Sequence, residues 1–281
     1  SGLSRMSLLQ ILLLGIIQGL TEFLPISSSG HLVIVQNVFG LKDPHLFLDV
    51  SLHFGTLLAI VVVLRKEVAS LLKGIVHFLF YRLRGEQFKI DEECRAMARL
   101  GGLIIIGLIP TVLLGFFLRD LFTLFFGSLT AVGSMLVVTG TILWFTRTAG
   151  QGTKETGTIS LLDALIIGLI QGFAIAPGIS RSGATIAFGL FRSLKKEAAV
   201  QFSFLLSIPA ILGAMFMEWE NPLLYDGTLL HVVLGTIMAA LVGYICLRIL
   251  IRMVNKGQLY FFSPYCWGAG CVTILLSFLL N

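Results

Sequence analysis

Six long apolar segments decide what this chain can fold into. They cover Val50–Leu64, Leu100–Leu118, Leu129–Phe145, Gln201–Met217, Leu229–Ile251 and Leu259–Leu280. Each segment is long enough, or nearly so, to cross a bilayer as an α-helix. The chain is 56% apolar and only 12% charged, which lies outside the range of ordinary soluble domains. We therefore predict an all-α polytopic membrane protein with about six transmembrane helices.

A further segment occurs twice in related form. Gly15–His31 aligns without gaps on Gly168–Ala184, and eight of the 17 aligned positions are identical. Both copies interrupt an apolar stretch with serine and glycine. We predict two broken, re-entrant helical hairpins, at about 8–39 and 161–191. Broken helices of this kind commonly face each other near the membrane midplane, around a shared polar site.

The basic residues indicate how the chain is oriented. Sixteen of the 20 lysines and arginines lie in four places, at 65–99, 147–154, 192–196 and 248–256. Such a distribution is typical of cytoplasmic loops under the positive-inside rule. The connection at 218–228 instead carries three acidic residues and no basic residue. The net charge of +5 therefore indicates orientation and contact with anionic lipid headgroups, and no nucleic acid partner is expected.

Three spans separate the two hairpins in this orientation. Because three is an odd number, one hairpin enters from outside and the other from the cytoplasm, which predicts an inverted-topology internal repeat. We expect a single membrane domain over 6–281, made of repeats at about 8–146 and 161–281. A cytoplasmic amphipathic segment is expected at about 66–99. Residues 1–5, which precede the first methionine, are expected to be a cloning remnant.

Both hairpin turns carry residues that suit an anion. Pro25 precedes a serine-rich turn that opens a new helix, and Pro177 precedes a similar turn that also contains Arg181. Backbone amides, hydroxyls and the positive end of a helix dipole stabilise anions, and arginine clamps phosphate. We therefore predict a phosphate or pyrophosphate pocket. Its expected ligands are Ser28, Ser29, Gly30, Ser180, Arg181, Ser182, Gly183 and Thr185. The alternative, that the serines only satisfy the backbone where the helices break, leaves Arg181 unexplained.

Residues in and before the first turn are candidates for chemistry. Glu22 lies four residues after Gln18, so both side chains project from one face of a half-helix. A carboxylate at membrane depth needs a partner, for which Arg181, His31 or a divalent cation are candidates. His31 can carry a proton near neutral pH. Ser27 or Ser28 is a candidate nucleophile with His31 as the base, and Ser27 is favoured because it aligns with Ser180. A water activated by His31 or Glu22 would serve equally well.

Other polar residues are assigned structural roles. Asp49, His53 and Thr56 share one face of the next span, where helix capping and packing are favoured over a place in the cavity. Tyr265 is one of several aromatic residues near predicted span ends, where interfacial aromatics are common. The four cysteines have no metal-binding spacing and are interpreted as free thiols.

Two motifs make the sequence similar to a known family. The first runs from Gln18 to His31 and reads Gln-Gly-Leu-Thr-Glu-Phe-Leu-Pro-Ile-Ser-Ser-Ser-Gly-His. The second runs from Pro177 to Thr185 and reads Pro-Gly-Ile-Ser-Arg-Ser-Gly-Ala-Thr. They resemble the bacitracin-resistance family of undecaprenyl pyrophosphate phosphatases. The likeness extends to length, number of spans and duplication, and so covers nearly the whole chain.

The resemblance implies an enzyme that hydrolyses undecaprenyl (C55 isoprenyl) pyrophosphate to undecaprenyl phosphate and inorganic phosphate. This reaction recycles the lipid carrier of peptidoglycan synthesis and confers bacitracin resistance. The resemblance also implies a catalytic set of Glu22, Ser27, His31 and Arg181, and a divalent cation, Mg²⁺ or Ca²⁺. The family's first acidic position is Gln18 here, so Glu22 and Gln18 would hold a cation that is bridged mainly by substrate phosphates.

The expected location is the bacterial inner membrane, with a polyprenyl pyrophosphate lipid as partner and a homodimer as a further expectation. Because the recycled pyrophosphate is produced on the outer face, we expect the pocket to open outward. The main alternative is a transporter or flippase of prenyl phosphate lipids or another anionic substrate, since inverted repeats with broken helices are also transporter architecture. Transport needs only reversible binding, whereas these turns combine a nucleophile, a proton carrier and a charge clamp, which favours an enzyme.

Overall fold

Most of the described residues lie in α-helices. The computed structural model describes residues 7–38, 46–85, 91–217 and 229–280. Twelve α-helices lie in this part of the chain. They are α1 (Leu8–Phe23), α2 (Ser28–Val38), α3 (Leu46–Val63), α4 (Arg65–Leu83), α5 (Glu92–Phe117), α6 (Arg119–Phe126), α7 (Leu129–Phe145), α8 (Leu161–Phe173), α9 (Arg181–Phe191), α10 (Lys196–Met217), α11 (Leu229–Asn255) and α12 (Ser263–Leu280). The expectations for residues 1–5 and for the acidic connection at 218–228 lie outside the described residues.

Helix lengths confirm the prediction of an all-α, multi-pass membrane fold. Five helices are long and apolar enough to cross a bilayer, namely α5, α7, α10, α11 and α12. The sixth predicted span corresponds to α3, which continues as α4 after a bend of 82°. Phe116, Phe117 and Phe216 are at least 70% exposed, as expected for side chains that face lipid hydrocarbon.

The bend at Leu64 prevents α4 from continuing the span of α3. Instead α4 packs against the start of α5, where Gly74 faces Met97. The structure divides the segment expected at about 66–99, because its first part is α4 whereas Glu92 already begins the long helix α5. The location of α4 on the cytoplasmic membrane surface stays a prediction.

Both hairpins have the expected pairs of short helices. α1 and α2 flank one turn, and α8 and α9 flank the other. α1 has 16 residues and α8 has 13, so their lengths are about 24 and about 20 Å, less than the ~30 Å hydrocarbon core of a bilayer. A capping box starts each helix, formed by Ser7 with Gln10 in α1 and by Ser160 with Asp163 in α8. Neither half-helix is therefore long enough to span the membrane alone.

Each half-helix packs against a helix from the other half of the chain. α1 lies along α11, and α8 lies along α5. Gly15 of α1 meets the backbone of Gly235, and Gly168 of α8 meets the backbone of Gly107, so closely that no Cβ would fit. Gly15 and Gly168 are equivalent positions of the duplicated segment. Equivalent positions of the two repeats therefore make equivalent close contacts with a neighbouring helix. The inverted topology itself stays a prediction.

Large side chains pack the interior beside the hairpins. Phe23, Phe202 and Phe204 are fully buried, and the rings of Phe23 and Phe204 lie 5.9 Å apart between centroids. Phe23 is the last residue of α1 and directly follows Glu22. The packed core therefore holds the end of α1, and with it the carboxylate, in a defined position.

Candidate active site

The two hairpin turns meet at their tips. The backbone N–H of Gly178, in the second turn, donates to Ser27 Oγ in the first turn at 3.0 Å. In the opposite direction, Ser182 Oγ donates to the backbone carbonyls of Glu22 and Phe23 at 3.2 and 3.3 Å. These carbonyls belong to the last turn of α1, where a helix leaves its acceptors without internal donors. Each turn therefore satisfies backbone or side-chain groups of the other, and the two form one site.

Ser27 has an unusual backbone conformation. Its φ is +71°, and Ser27 and Ser193 are the two non-glycine residues with positive φ in the described part of the chain. Such a conformation costs about 1–3 kcal/mol and persists only where the surroundings enforce it. Here Ser27 Oγ accepts from two backbone amides, those of Gly178 at 3.0 Å and Gly30 at 3.3 Å. One contact from the second turn and one from within its own hairpin thus hold Ser27 in position.

Glu22 is at the centre of the polar site. Its Oε1 forms an ion pair with Arg181 Nη2 of the second turn. Its Oε2 accepts from Ser28 Oγ at 2.6 Å and from Gln18 Nε2 at 3.1 Å, and lies 3.8 Å from His53 Nε2. The Glu22 side chain is 5% exposed and that of Arg181 is 18% exposed. Because both charges are largely removed from water, each depends on the other for compensation.

His31 is held through both nitrogens of its ring. Nδ1 lies 2.8 Å from the backbone carbonyl of Ser27, and Nε2 lies 2.8 Å from the hydroxyl of Tyr265. A carbonyl can only accept a hydrogen bond, so Nδ1 carries a proton and Nε2 of the neutral ring accepts from the phenol. The rings of His31 and Tyr265 are stacked, with centroids 5.8 Å apart and an interplanar angle of 11°. The contact of His31 with Ser27 is therefore to its carbonyl, and the expected dyad with the Ser27 hydroxyl is not formed.

The structure divides the predicted phosphate ligands into two groups. Ser180, Ser182 and Thr185 are at most 2% exposed. They are already bonded within the protein: Ser180 Oγ accepts from the N–H of Gly183 at 3.2 Å, and Thr185 Oγ1 donates to the carbonyl of Arg181 at 2.8 Å. Gly30 and Gly183 are also buried. The half-buried phosphate candidates are Ser28, Ser29 and Arg181, and the catalytic candidate His31 is half-buried as well. The first turn therefore presents hydroxyls and an imidazole, and the second turn presents the guanidinium.

Two residues of the site were assigned only structural roles from the sequence. His53 donates through Nδ1 to the Asp49 carbonyl at 2.8 Å, which directs its Nε2 toward Glu22. The face that His53 shares with Asp49 was the available signal, but packing was favoured. Tyr265 is separated from His31 by 234 positions and carries no motif, so no local signal could have found it.

Two oxygen donors beside the ion pair suit a divalent cation. Gln18 Oε1 is buried and has no hydrogen-bond partner among the described residues, whereas Gln18 Nε2 donates to Glu22. An amide oxygen and a carboxylate are hard ligands of the kind that Mg²⁺ and Ca²⁺ take. Within the described ranges, no three His, Cys, Asp or Glu side chains cluster as a metal site. The Gln18 amide oxygen and the Glu22 carboxylate are therefore the hard oxygen donors that this site offers to a cation.

Asp163 connects the two legs of the second hairpin at the end away from the turns. Its Oδ1 accepts from Arg192 Nε, just after α9, at 2.8 Å. Its Oδ2 accepts from Lys154 Nζ at 2.8 Å and from Ser160 Oγ at 2.7 Å. This cluster fixes α8 relative to α9 and so helps to place Arg181 at the first residue of α9.

The family of the chain follows from its matches along almost its whole length. The family model described as bacitracin resistance protein BacA matches residues 11–272. The chain belongs to this family. The match contains both hairpin turns and Tyr265 of α12, and therefore every residue of the site described above.

Curated relatives agree with this assignment. A protein of Desulfosudis oleivorans is 47% identical over 272 residues, covering 96% of this chain and 98% of the relative. A protein of Alkaliphilus metalliredigens is 43% identical over 278 residues, covering 98% of this chain and 100% of the relative. One of Methanosphaera stadtmanae is 38% identical over 276 residues, again with 98% and 100% coverage. All three relatives are named undecaprenyl-diphosphatase.

Proposed function

We propose that this protein is an undecaprenyl-diphosphatase, which hydrolyses undecaprenyl pyrophosphate to undecaprenyl phosphate and inorganic phosphate. Relatives of that name match nearly the full length of the chain. The observation that carries the proposal is the buried Glu22–Arg181 pair where the two turns meet, with Ser27 and His31 beside it. The reaction recycles the lipid carrier of peptidoglycan synthesis and confers bacitracin resistance.

Arg181 is the group proposed to clamp the pyrophosphate. Its guanidinium has five N–H donors, of which the ion pair with Glu22 uses only part. Ser28 and Ser29 add half-buried hydroxyls on the opposite turn. Donors fixed in this way stabilise the charge that develops on the transferring phosphoryl group. The phosphate would compete with Glu22 for Arg181, so substrate binding should loosen the resting ion pair.

A water molecule is the nucleophile that the geometry favours. Ser27 is 2% exposed, and its Oγ accepts two amide hydrogen bonds, which leaves it poorly placed to attack phosphorus. The role of Ser27 is then to hold the two turns together and to orient His31 through its carbonyl. With terminally labelled substrate, acid quenching within the first turnover should leave the protein unlabelled. Phosphorylated protein would instead establish a covalent route through Ser27 or Ser28, which mapping of the labelled residue would distinguish.

A divalent cation is a further part of the proposal, held by Glu22 and Gln18 together with substrate phosphates. When bound, it would neutralise charge on the pyrophosphate. When both ligands are bound, Glu22 would contact the cation in place of part of Arg181. Arg181 would contact a phosphate in place of Glu22. The affinities for cation and pyrophosphate should therefore be coupled, each raising the other.

The proposed location is the bacterial inner membrane, with the site open to the outer face, where the pyrophosphate is produced. A cysteine placed beside the turn, at Ser29, should react with an impermeant thiol reagent from outside in oriented vesicles. Reaction only from the cytoplasmic side would contradict this orientation. The expected homodimer stays a prediction, which light scattering of the purified protein can test.

The decisive experiment measures phosphate release from undecaprenyl pyrophosphate by purified protein in detergent. Release with Mg²⁺ or Ca²⁺, its loss with EDTA and its loss in Arg181→Ala are expected. Arg248→Ala is the control, because Arg248 lies near the end of α11 and its guanidinium contacts Tyr244, which is not part of the site. If folded wild-type protein bound the lipid without releasing phosphate, the transporter or flippase alternative would replace the enzyme.

A further inference from the structure

The Tyr265 hydroxyl is hydrogen-bonded to the ring nitrogen of His31 that could otherwise accept a proton. Nδ1 of His31 is committed to the Ser27 carbonyl, which can only accept. Nε2 is the nitrogen with a lone pair, and it faces the Tyr265 hydroxyl at 2.8 Å. Any proton that His31 takes up in this arrangement must therefore arrive through, or displace, that hydroxyl.

The Tyr265 residue that meets His31 is also partly exposed. Tyr265 is 49% exposed, in contrast to the buried serines of the second turn. The neighbouring residue Cys266 is fully buried and its Sγ contacts the Pro25 carbonyl at 3.5 Å, which ties α12 to the first turn. The backbone of α12 therefore sets the position of the phenol beside His31, on a residue that is itself partly exposed.

We propose that Tyr265 relays a proton to His31 during pyrophosphate hydrolysis, an inference that rests on the proposed function. As water attacks the terminal phosphorus, its O–H bond breaks and the proton passes to Tyr265 Oη, which gives its own proton to His31 Nε2. The new P–O bond forms while the bridging P–O bond breaks, and its electron pair leaves with the lipid monophosphate. The proton returns along the same path to the phosphate products, so that both side chains regain their starting state.

In this role Tyr265 contacts the attacking water directly and depends on His31 to receive its proton. The stacked arrangement, with centroids 5.8 Å apart, depends on the ring and not on the hydroxyl. Tyr265→Phe therefore preserves the packing of α12 against the first turn and removes only the O–H group. A purely structural role predicts little effect of this variant, whereas a relay predicts a loss in the chemical step.

The test compares Tyr265→Phe with Tyr260→Phe in detergent, using undecaprenyl pyrophosphate and saturating Mg²⁺. Tyr260 is the control because its ring packs against Trp144 and Phe261, away from the site. Tyr265→Phe should lower kcat about 10²-fold, the lower range for acid–base catalysis, while KM changes little. Tyr260→Phe should behave as wild type. In a His31→Asn background, adding Tyr265→Phe should cause little further loss, because the relay is already broken.

Three outcomes would overturn the relay. They are an unchanged kcat in Tyr265→Phe, a raised KM with normal kcat, and full additivity with His31→Asn. A raised KM alone would make Tyr265 a substrate contact. The wild-type measurement separates this proposal from the one on which it rests: absence of phosphate release by the wild type overturns the hydrolase itself, whereas normal release by both wild type and Tyr265→Phe overturns the relay only.

Discussion

Ser27 and Ser180 occupy equivalent positions of the two hairpins but adopt different backbone conformations. Each accepts from the amide three residues further on, Gly30 at 3.3 Å and Gly183 at 3.2 Å. Ser27 has a φ of +71°, whereas Ser180 has an ordinary φ of −77°. The capping framework is therefore shared, and of the two serines only the one in the hairpin of Glu22 is strained.

The equivalent glutamines of the two hairpins also differ in their hydrogen-bond partners, and again only the first hairpin has the ionisable group. Gln18 donates to the Glu22 carboxylate at 3.1 Å, whereas the equivalent Gln171 donates to the Thr111 hydroxyl at 3.3 Å. In the second copy, isoleucine and alanine stand at the positions of Glu22 and His31. The comparison indicates that the first hairpin carries most of the proposed chemistry, while the second supplies a rigid frame and one guanidinium.

Removal of the Arg181 guanidinium, the charged group that the second hairpin supplies, should have the largest effect on activity. Arg181→Ala should lower phosphate release at least ~10³-fold, as loss of arginine clamps does in phosphoryl transfer. It should also lower stability by about 3–5 kcal/mol, because Glu22 stays buried without compensation. Phosphate assays and thermal unfolding in detergent measure both effects.

The double variant Glu22→Ala/Arg181→Ala tests whether the loss of stability comes from an uncompensated buried charge. It should be inactive but more stable than either single variant, because no unpaired charge remains. A double variant whose loss of stability equals the sum of the two single losses would show that the pair does not couple the hairpins.

The matched variants Ser27→Ala and Ser180→Ala compare the two turns directly. Ser27→Ala should lower kcat about 10²-fold, because the turn that orients His31 loses both amide contacts to its side chain. Ser180→Ala should leave kcat nearly unchanged and lower stability by about 1 kcal/mol through loss of a helix cap. Equal losses of kcat in both variants would remove the distinction between a reactive and a supporting hairpin.

The two glutamines allow a gain-of-function comparison. Gln18→Glu adds a carboxylate beside Glu22 and should lower the Mg²⁺ concentration for half-maximal activity about tenfold, equivalent to ~1.4 kcal/mol. Gln171→Glu, in the equivalent position of α8, should not improve the response to Mg²⁺. Titration of activity with Mg²⁺ tests both variants, and the same improvement in each would place the cation elsewhere.

His53→Gln is expected to have the smallest effect. His53 lies 3.8 Å from Glu22 and its side chain is 33% exposed, so solvent screens the interaction. We expect kcat/KM to fall about two- to fivefold, corresponding to ~0.4–1 kcal/mol. A loss of 10²-fold or more in steady-state assays would instead place His53 among the principal groups of the site.

Local sequence features were sufficient to predict most helices and the two hairpins. Apolar length predicted the spans, and the serine- and glycine-containing turns predicted that two hairpins are broken. The boundary between α4 and α5 was less accurate, because the charged residues after Glu92 resemble a surface segment although they start a long helix. Helix ends depend on tertiary packing as well as on composition.

The sequence by itself determined the membrane fold, the duplicated turns and the side-chain types suited to an anion, because these depend on hydropathy and short spacings. Only the tertiary structure decided which groups meet. It brings Arg181 to Glu22 across 159 positions and Tyr265 to His31 across 234. It also turns Ser27 Oγ toward the amide of Gly178 instead of His31. Such contacts arise from packing between distant helices, and no local pattern of residues encodes their geometry.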